Sequence, residues 1–374
     1  MAPARRPRRP RKQRQRFAVL GAGHGGLAMA GHLAIMGYPV NLWNRTPERV
    51  DHVRLRGGIE VEGEVEGFGT PEVCTSSMTE ATEGVDVIMV VAPATAHADI
   101  AAALAPVLQD GQVIVLNPGR TGGALEVAHI LKQKGCTAKA LVAEAQTLIY
   151  IARHLEPTRA RIFEIKNEVP VAALPAYRTP EVLKALRNAF PQFVAGSNIL
   201  ATSLDNIGAI FHPAVMVFNA ARVESTHGDF EYYLEGITPS VAQVLEHLDH
   251  ERIAVASALG IRTHRARDWL YQAYAATGDS LLEAIQTTPG YKGVRAPAVM
   301  NHRYILEDVP MSLVPLASLG DHLGVKVPTM KAVIHIASLM DGTDFWKTGR
   351  TVARMGLAKL GVKEIRLLCA GGLE

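Results

Sequence analysis

Residues 17–45, FAVLGAGHGGLAMAGHLAIMGYPVNLWNR, hold the pattern from which the fold is inferred. Phe17–Leu20 is a short apolar run suited to a buried strand. Gly21, Gly23 and Gly26 follow at the spacing G-x-G-x-x-G, and residues 27–36 form an apolar helical run. Gly37 stops that helix and Val40–Trp43 supply a second strand. Strand, glycine turn, helix and strand in this order point to a dinucleotide-binding unit rather than a glycine-rich turn of some other α/β domain. Gly21 permits the tight turn, Gly23 lets the backbone approach a pyrophosphate, and Gly26 lets helix and strand pack closely. The helix's first N–H groups and its dipole then hold the phosphates. His24, inside the motif, either lies near those phosphates or fills the turn.

The residues after the second strand select the nucleotide. An NAD enzyme usually places a carboxylate there for the ribose hydroxyls. Here the strand ends Asn44-Arg45-Thr46, with no acid. Arg45 offers a planar fork of donors to a 2′-phosphate, so NADP is expected ahead of NAD. The plainer alternative leaves Arg45 in solvent and uses Thr46 to cap a helix starting at Pro47.

A length of 374 residues suggests two domains. The three cysteines, Cys74, Cys136 and Cys369, are odd in number and far apart. They point to a reducing, cytoplasmic setting without a disulfide framework. No apolar run of transmembrane length is free of charge and glycine breaks. The first sixteen residues carry eight Lys or Arg and no acid; without them 31 basic residues face 36 acidic ones, so the body of the chain is mildly acidic. This tail has no apolar core and is not a secretory signal. A disordered extension is preferred to an arm for nucleic acid or anionic lipid.

Further along, helix is expected over 47–56 and a glycine-interrupted hairpin over 59–74. The run VDVIMVVA at 85–92 suits a central parallel strand and ends at Pro93. Helix over 96–108 and a strand at Val113–Leu116 follow, then the loop Asn117-Pro118-Gly119-Arg120-Thr121-Gly122-Gly123. Loops at the carboxyl ends of such strands line the ligand crevice. Gly21, Gly23, His24, Gly26, Asn44, Arg45, Pro93 and Asn117 are therefore the candidate cofactor-binding residues. Strands near 140–143 and 160–165 and a helix from Thr179 to about residue 190 complete this part. From about residue 202 strand signals vanish. Helices are expected over 204–222, kinked at Pro213, then over 239–259 with Thr238 as cap, and over 280–285, 310–323 and 328–339. The fold class is thus α/β plus all-α: a Rossmann-type domain at 17–201 and a helical substrate and dimerisation domain at 202–374, with substrate in the cleft between them.

A reductase without a metal needs a general acid, and histidine suits that task. His212 stands in the apolar segment Ala209-Ile210-Phe211-His212-Pro213, where a satisfied core histidine is the plainer expectation. The segment Arg303-Tyr304-Ile305-Leu306-Glu307-Asp308-Val309-Pro310 mixes a cation, an aromatic and two acids. Arg303 and Glu307 there read equally as a weak surface pair, and Asp308 as the cap of a helix from Pro310. The run Glu246–Glu251 reads as a solvated helix face rather than a metal site.

Four segments together resemble the opine dehydrogenases, the octopine and nopaline dehydrogenase-like family: GAGHGG, NPGRTGG, D-N-x-G-x-x-x-H-P from Asp205 to Pro213, and R-Y-x-x-E-D-V-P from Arg303 to Pro310. The last two are the specific ones, and the likeness spans residues 17 to about 357. It implies a Rossmann-type domain plus a helical domain, and reductive condensation of a 2-oxo acid with the amino group of an amino acid, using NAD(P)H. It also implies that His212 is the catalytic histidine, Asp308 the carboxylate that orients it, and Arg303 a carboxylate-binding arginine. Tyr304 is a candidate substrate-binding residue, with Glu224 and Asn219 as further cleft-lining candidates. On this reading Asp308 fixes the imidazole tautomer and raises its pKa. The imidazolium then serves the 2-oxo acid carbonyl as water leaves and the imine forms, and NADPH delivers hydride to the imine carbon. A homodimer is expected, with no membrane partner. A simpler NADP-dependent reductase of a 2-oxo acid or preformed imine is the alternative, although no lysine stands in a comparable segment to act as its acid. A nucleotide-sensing or nucleic-acid-binding protein using the tail is the non-enzymatic alternative.

Overall fold

A computed structural model describes residues 14–371. Most of the basic tail lies outside the described residues. Of its last three, Arg14 donates to the carbonyls of Met36 and Gly37, and Arg16 pairs with Glu72, so these are bound to the domain rather than loose.

The first half is built on an eight-stranded sheet. Its strands are β1 (Phe17–Leu20), β2 (Val40–Trp43), β5 (Val73–Thr75), β6 (Val87–Val90), β7 (Val113–Leu116), β8 (Leu141–Ala145), β11 (Val169–Leu174) and β12 (Phe193–Ala195), in the order β12-β11-β8-β7-β6-β1-β2-β5. All neighbours pair in parallel except β11 with β8. A second sheet, ordered β4-β3-β10-β9, comprises β3 (Ile59–Gly63), β4 (Gly67–Gly69), β9 (Tyr150–Glu156) and β10 (Arg159–Ile165). It packs against α1 (His24–Ile35). The expected hairpin over 59–74 is therefore shorter. Its last part is an edge strand of the main sheet, because Val73–Thr75 pairs with Asn41–Trp43 instead of folding back on Ile59.

Alternation along the strands sorts the core. Ala18, Leu20, Ile88, Val90, Ile114 and Leu116 point to one side and share a continuous apolar core with the helices of the second half. Phe17, Val19, Val87, Met89 and Val115 point to the other, against α1 and the second sheet. One face of the sheet is thus the floor on which the helical part rests.

The helical part starts with α2 (Ile199–Leu204) and α3 (Gly208–Phe218), followed by α4 (Pro239–Ala258). One helix over 204–222 kinked at Pro213 was the expectation; breaks fall at residues 205–207 and at Asn219, with Pro213 inside α3. The side chains at the first break are engaged elsewhere. Asp205 accepts from Gln146 and from the His264 N–H, and Asn206 donates to Ser312. The segment Ile199–Phe218 has the length and apolarity of a membrane span, yet 72% of it is buried in this core. The two parts are also joined by a buried charge cluster. Arg350, fully buried, pairs with Glu126 at 2.6 Å and donates to the carbonyls of Gly119 and Thr121. The acids of the Glu246–Glu251 run are spent on structure: Glu251 accepts the N–H groups of Thr329 and Met330, and Asp249 that of Ala266.

Candidate active site

Carboxyl ends of β1, β6, β7 and β8 form one edge of the sheet, and the break before α3 faces them. The glycine motif opens this edge. Gly21 sits at φ +121°, and a Cβ there would strike the Val91 carbonyl. A Cβ on Gly26 would strike the carbonyl of Gly21. At Gly23 a Cβ would meet nothing within 4 Å, so open space lies where a pyrophosphate must approach. Gly23 gives α1 no side-chain cap, which leaves its first N–H groups for an anion. These residues fit a dinucleotide.

Asn44 braces this loop: its Oδ1 accepts from the Ala22 N–H at 3.0 Å and its Nδ2 donates to the Thr46 carbonyl. Arg45 is largely exposed, with only Asp99 near it at 3.4 Å. The helix Pro47–Arg56 begins after Thr46 without a side-chain cap bond, so capping does not explain that residue. His24 is exposed at the start of α1. It stacks on His154 with ring centres 4.2 Å apart, and its Nδ1 accepts the His154 N–H. Its proton therefore resides on Nε2, and burial, then the charges of His154 and Arg153, lowers its pKa. Asn117 is buried; its Nδ2 donates to the Val115 carbonyl, and its Oδ1 has no partner among the described residues. Pro93 ends the β6 segment exposed, and the next N–H, of Ala94, donates to Glu307.

The helical side brings His212 and Asp308 together. Nδ1 of His212 lies 2.8 Å from Oδ2 of Asp308, whose side chain is fully buried. Asp308 makes no capping bond, because its carboxylate is taken by the histidine; the expected helix from Pro310 opens instead with a wide π turn, Val309–Leu313. The carboxylate requires the proton on Nδ1 in the neutral imidazole, leaving Nε2 free. Tyr304 stacks on the imidazole at 4.1 Å and 20°, and the Tyr232 hydroxyl donates to the His212 carbonyl. Gly208 leaves room: a Cβ there would come within 3.4 Å of both His212 and Arg120.

Arg120, unassigned by sequence reasoning, comes from the NPGRTGG loop with φ 57°, rare for a non-glycine residue. Its Nη1 lies 3.1 Å from Asp308 Oδ1, within ion-pairing distance though off the line of a hydrogen bond. Its Nε lies 3.4 Å from Glu307. Glu307 is nearly buried and accepts the Ala94 N–H at 3.1 Å, so its pair with Arg303 at 3.6 Å is not the surface pair expected. Arg303 itself is half exposed. The only hint of Arg120 in the sequence was its place in a loop at the end of a central strand.

Electrostatics correct one expectation. Burial pulls the His212 pKa below its ordinary value, and Asp308 only partly offsets this. For Asp308, burial pushes upward, but the Arg120 guanidinium and then His212 outweigh it and hold the carboxyl at about 2. A carboxylate paired with a neutral imidazole is thus the resting state at neutral pH. Another group escaped sequence reasoning: Lys166, just after β10, whose ammonium donates to Thr147 at 2.7 Å.

Comparison with known proteins bears on the fold and the family. Residues 195–340 match the family described as NAD/NADP octopine/nopaline dehydrogenase, alpha-helical domain, and residues 17–161 match ketopantoate reductase PanE/ApbA. The chain is 40% identical to an opine dehydrogenase of Arthrobacter sp. (strain 1C) over 94% of its length and 97% of that protein's. It is 25% identical to the octopine dehydrogenase of Pecten maximus over 75% of this chain and 76% of that one. An octopine dehydrogenase solved with NADH and L-arginine superposes with a TM-score of 0.79 over 96% of this chain and 99% of that one, at 22% identity. A yersinopine dehydrogenase with NADP+ gives 0.74 over 96% and 99%, at 16% identity. These two likenesses are of fold. Taken with the 40% identity along nearly the whole chain, they make this protein a member of the opine dehydrogenase family, an NAD(P)-dependent oxidoreductase.

Proposed function

We propose that this protein condenses a 2-oxo acid such as pyruvate with the amino group of an amino acid, using NADPH. The observation that carries the reading is the His212–Asp308 pair, fixed at 2.8 Å beside the carboxyl edge of the sheet with Nε2 unengaged among the described residues. Gly21, Gly23 and Gly26 would hold the pyrophosphate and Arg45 the 2′-phosphate. When bound, the dihydronicotinamide supplies the hydride that reduces the imine.

The protein's own residues do the rest. Arg303 takes the carboxylate of the 2-oxo acid through its exposed face, and Tyr304 holds the imidazole plane by stacking. An anion arriving there raises the His212 pKa, offsetting burial. The amine nitrogen attacks the carbonyl carbon while His212 Nε2 gives its proton to the oxygen. The now neutral His212 takes a proton from the nitrogen and returns it to that oxygen, which leaves as water as the carbon–nitrogen double bond forms. Asp308 keeps the charged ring in place throughout. A matrix of 2-oxo acids against amino acids, followed by NADPH absorbance, tests this. Oxidation that requires both partners is expected; oxidation with the 2-oxo acid alone would contradict it.

A further inference from the structure

An N-(carboxyalkyl) amino acid carries two carboxylates, and among the described residues placed in the site so far only one cation, Arg303, is exposed enough to meet them. Arg303 is half exposed, with Glu307 at 3.6 Å on its Nε, whereas Arg120 is nearly buried between Asp308 and Glu307. We propose that Lys166 binds the α-carboxylate of the amino donor; this rests on the condensation reading above.

Position comes first. The Lys166 N–H donates to the Ile149 carbonyl, and its ammonium reaches Thr147, two residues after β8 ends. The next strand inward, β7, leads into the loop of Arg120, and the Gly119 N–H donates to the Ala145 carbonyl at the tip of β8. Lys166 and Thr147 therefore sit on the crevice edge, on the nucleotide-binding side. Arg303 and His212 stand on the helical side. A 2-oxo acid bound to those two would leave the sheet side for the amine partner.

Partners come second. The partly buried cations elsewhere in the core all have acids: Arg120 has Glu307 and Asp308, Arg252 has Asp249, and Arg350 has Glu126. Lys166 has no carboxylate within 4.0 Å among the described residues, and only the Thr147 hydroxyl accepts from it. An ammonium has three donors, so two remain to be satisfied. Burial draws its pKa down to about 8, Glu164 pushes back, and the charge of Arg120 adds to the lowering. A cation held this way gains from an incoming anion.

Two variants, Lys166→Met and Lys166→Gln, test the assignment in the full-length enzyme, with Lys166→Arg as the charge-retaining control. Each is assayed with an amino acid and with the amine that lacks its carboxyl group, and then for the KM of the 2-oxo acid. The amino acid KM should rise about 10- to 100-fold, the loss of a charge-assisted hydrogen bond. Preference for the amino acid over the amine should largely vanish, Lys166→Arg should restore most of it, and the 2-oxo acid KM should stay within about twofold. The preference is a ratio within each variant, so a smaller folded fraction cancels. A fall in kcat with unchanged preference would make Lys166 a proton donor and overturn the assignment, as would a rise confined to the 2-oxo acid KM or no change at all. A wild-type enzyme that condenses no pair would remove the condensation reading and this one together; a condensing wild type matched by its variants would remove this one alone.

Discussion

Arg120, from the loop after a central strand of the nucleotide-binding sheet, pairs at 3.1 Å with Asp308, the helical-domain acid that holds the candidate catalytic histidine. The same guanidinium touches Glu307, which in turn accepts the Ala94 N–H at the end of another strand. The orientation of the imidazole is thereby tied to the seating of one domain on the other. Arg120 acts through Asp308 and is a positioning residue.

Its removal should show in the pH profile. In Arg120→Gln the buried carboxyl of Asp308 loses its strongest counter-charge, and its pKa rises from about 2. The acid limb of the rate profile should move to higher pH, with kcat/KM at pH 7 down at least about tenfold, close to 1.4 kcal/mol. Breaking a buried pair also costs about 3–5 kcal/mol of stability. A variant that loses stability but keeps the wild-type profile would reduce Arg120 to a structural clasp.

The direction of the His212 shift sets a second expectation. Its pKa lies below the ordinary value because burial outweighs Asp308. In opine oxidation the imidazole must be neutral to take a proton, and the opine nitrogen must be unprotonated as hydride leaves, which adds a separate alkaline limb. kcat/KM for the opine should rise with pH through two limbs, the lower one, that of His212, with its midpoint below 6.5. Condensation needs the protonated ring and should decline on the alkaline side. A lower limb with its midpoint above 6.5 in the oxidative direction would show that the carboxylate, not burial, sets this group.

Much of this was legible in the sequence, and the reason differs by element. The β1–α1–β2 unit is local, its periodicity and glycine spacing complete within residues 17–45. His212 and Asp308 were found by motif likeness, and the structure brings them to hydrogen-bonding distance. The part of Arg120 was not legible, because Glu307 and Asp308 reach it only through the tertiary fold; Glu307 lies 187 positions away. β9 was missed for the same reason: its apolar signal is weak, and it is a strand because β10 and α1 pack on it. The break at 205–207 is set by partners on Gln146, His264 and Ser312, which no helical pattern reveals. The sign of the His212 shift depends on how deeply it is buried, which spacing does not encode.

Cofactor preference is open to a single substitution. Arg45 is the exposed cation after β2, and no acid stands beside it in sequence. Arg45→Asp should lower kcat/KM for NADPH about 10- to 100-fold while leaving that for NADH equal or higher. Equal losses with both nucleotides would mean that Arg45 does not read the 2′-phosphate.

The most direct measurement pairs turnover with cofactor binding in His212→Ala. Condensation should fall by at least about 10³-fold, while the NADPH Kd, measured by fluorescence titration, stays within about twofold of the wild type. Turnover within tenfold of the wild type, or parallel loss of turnover and NADPH binding, would instead make His212 a structural residue of the helical core.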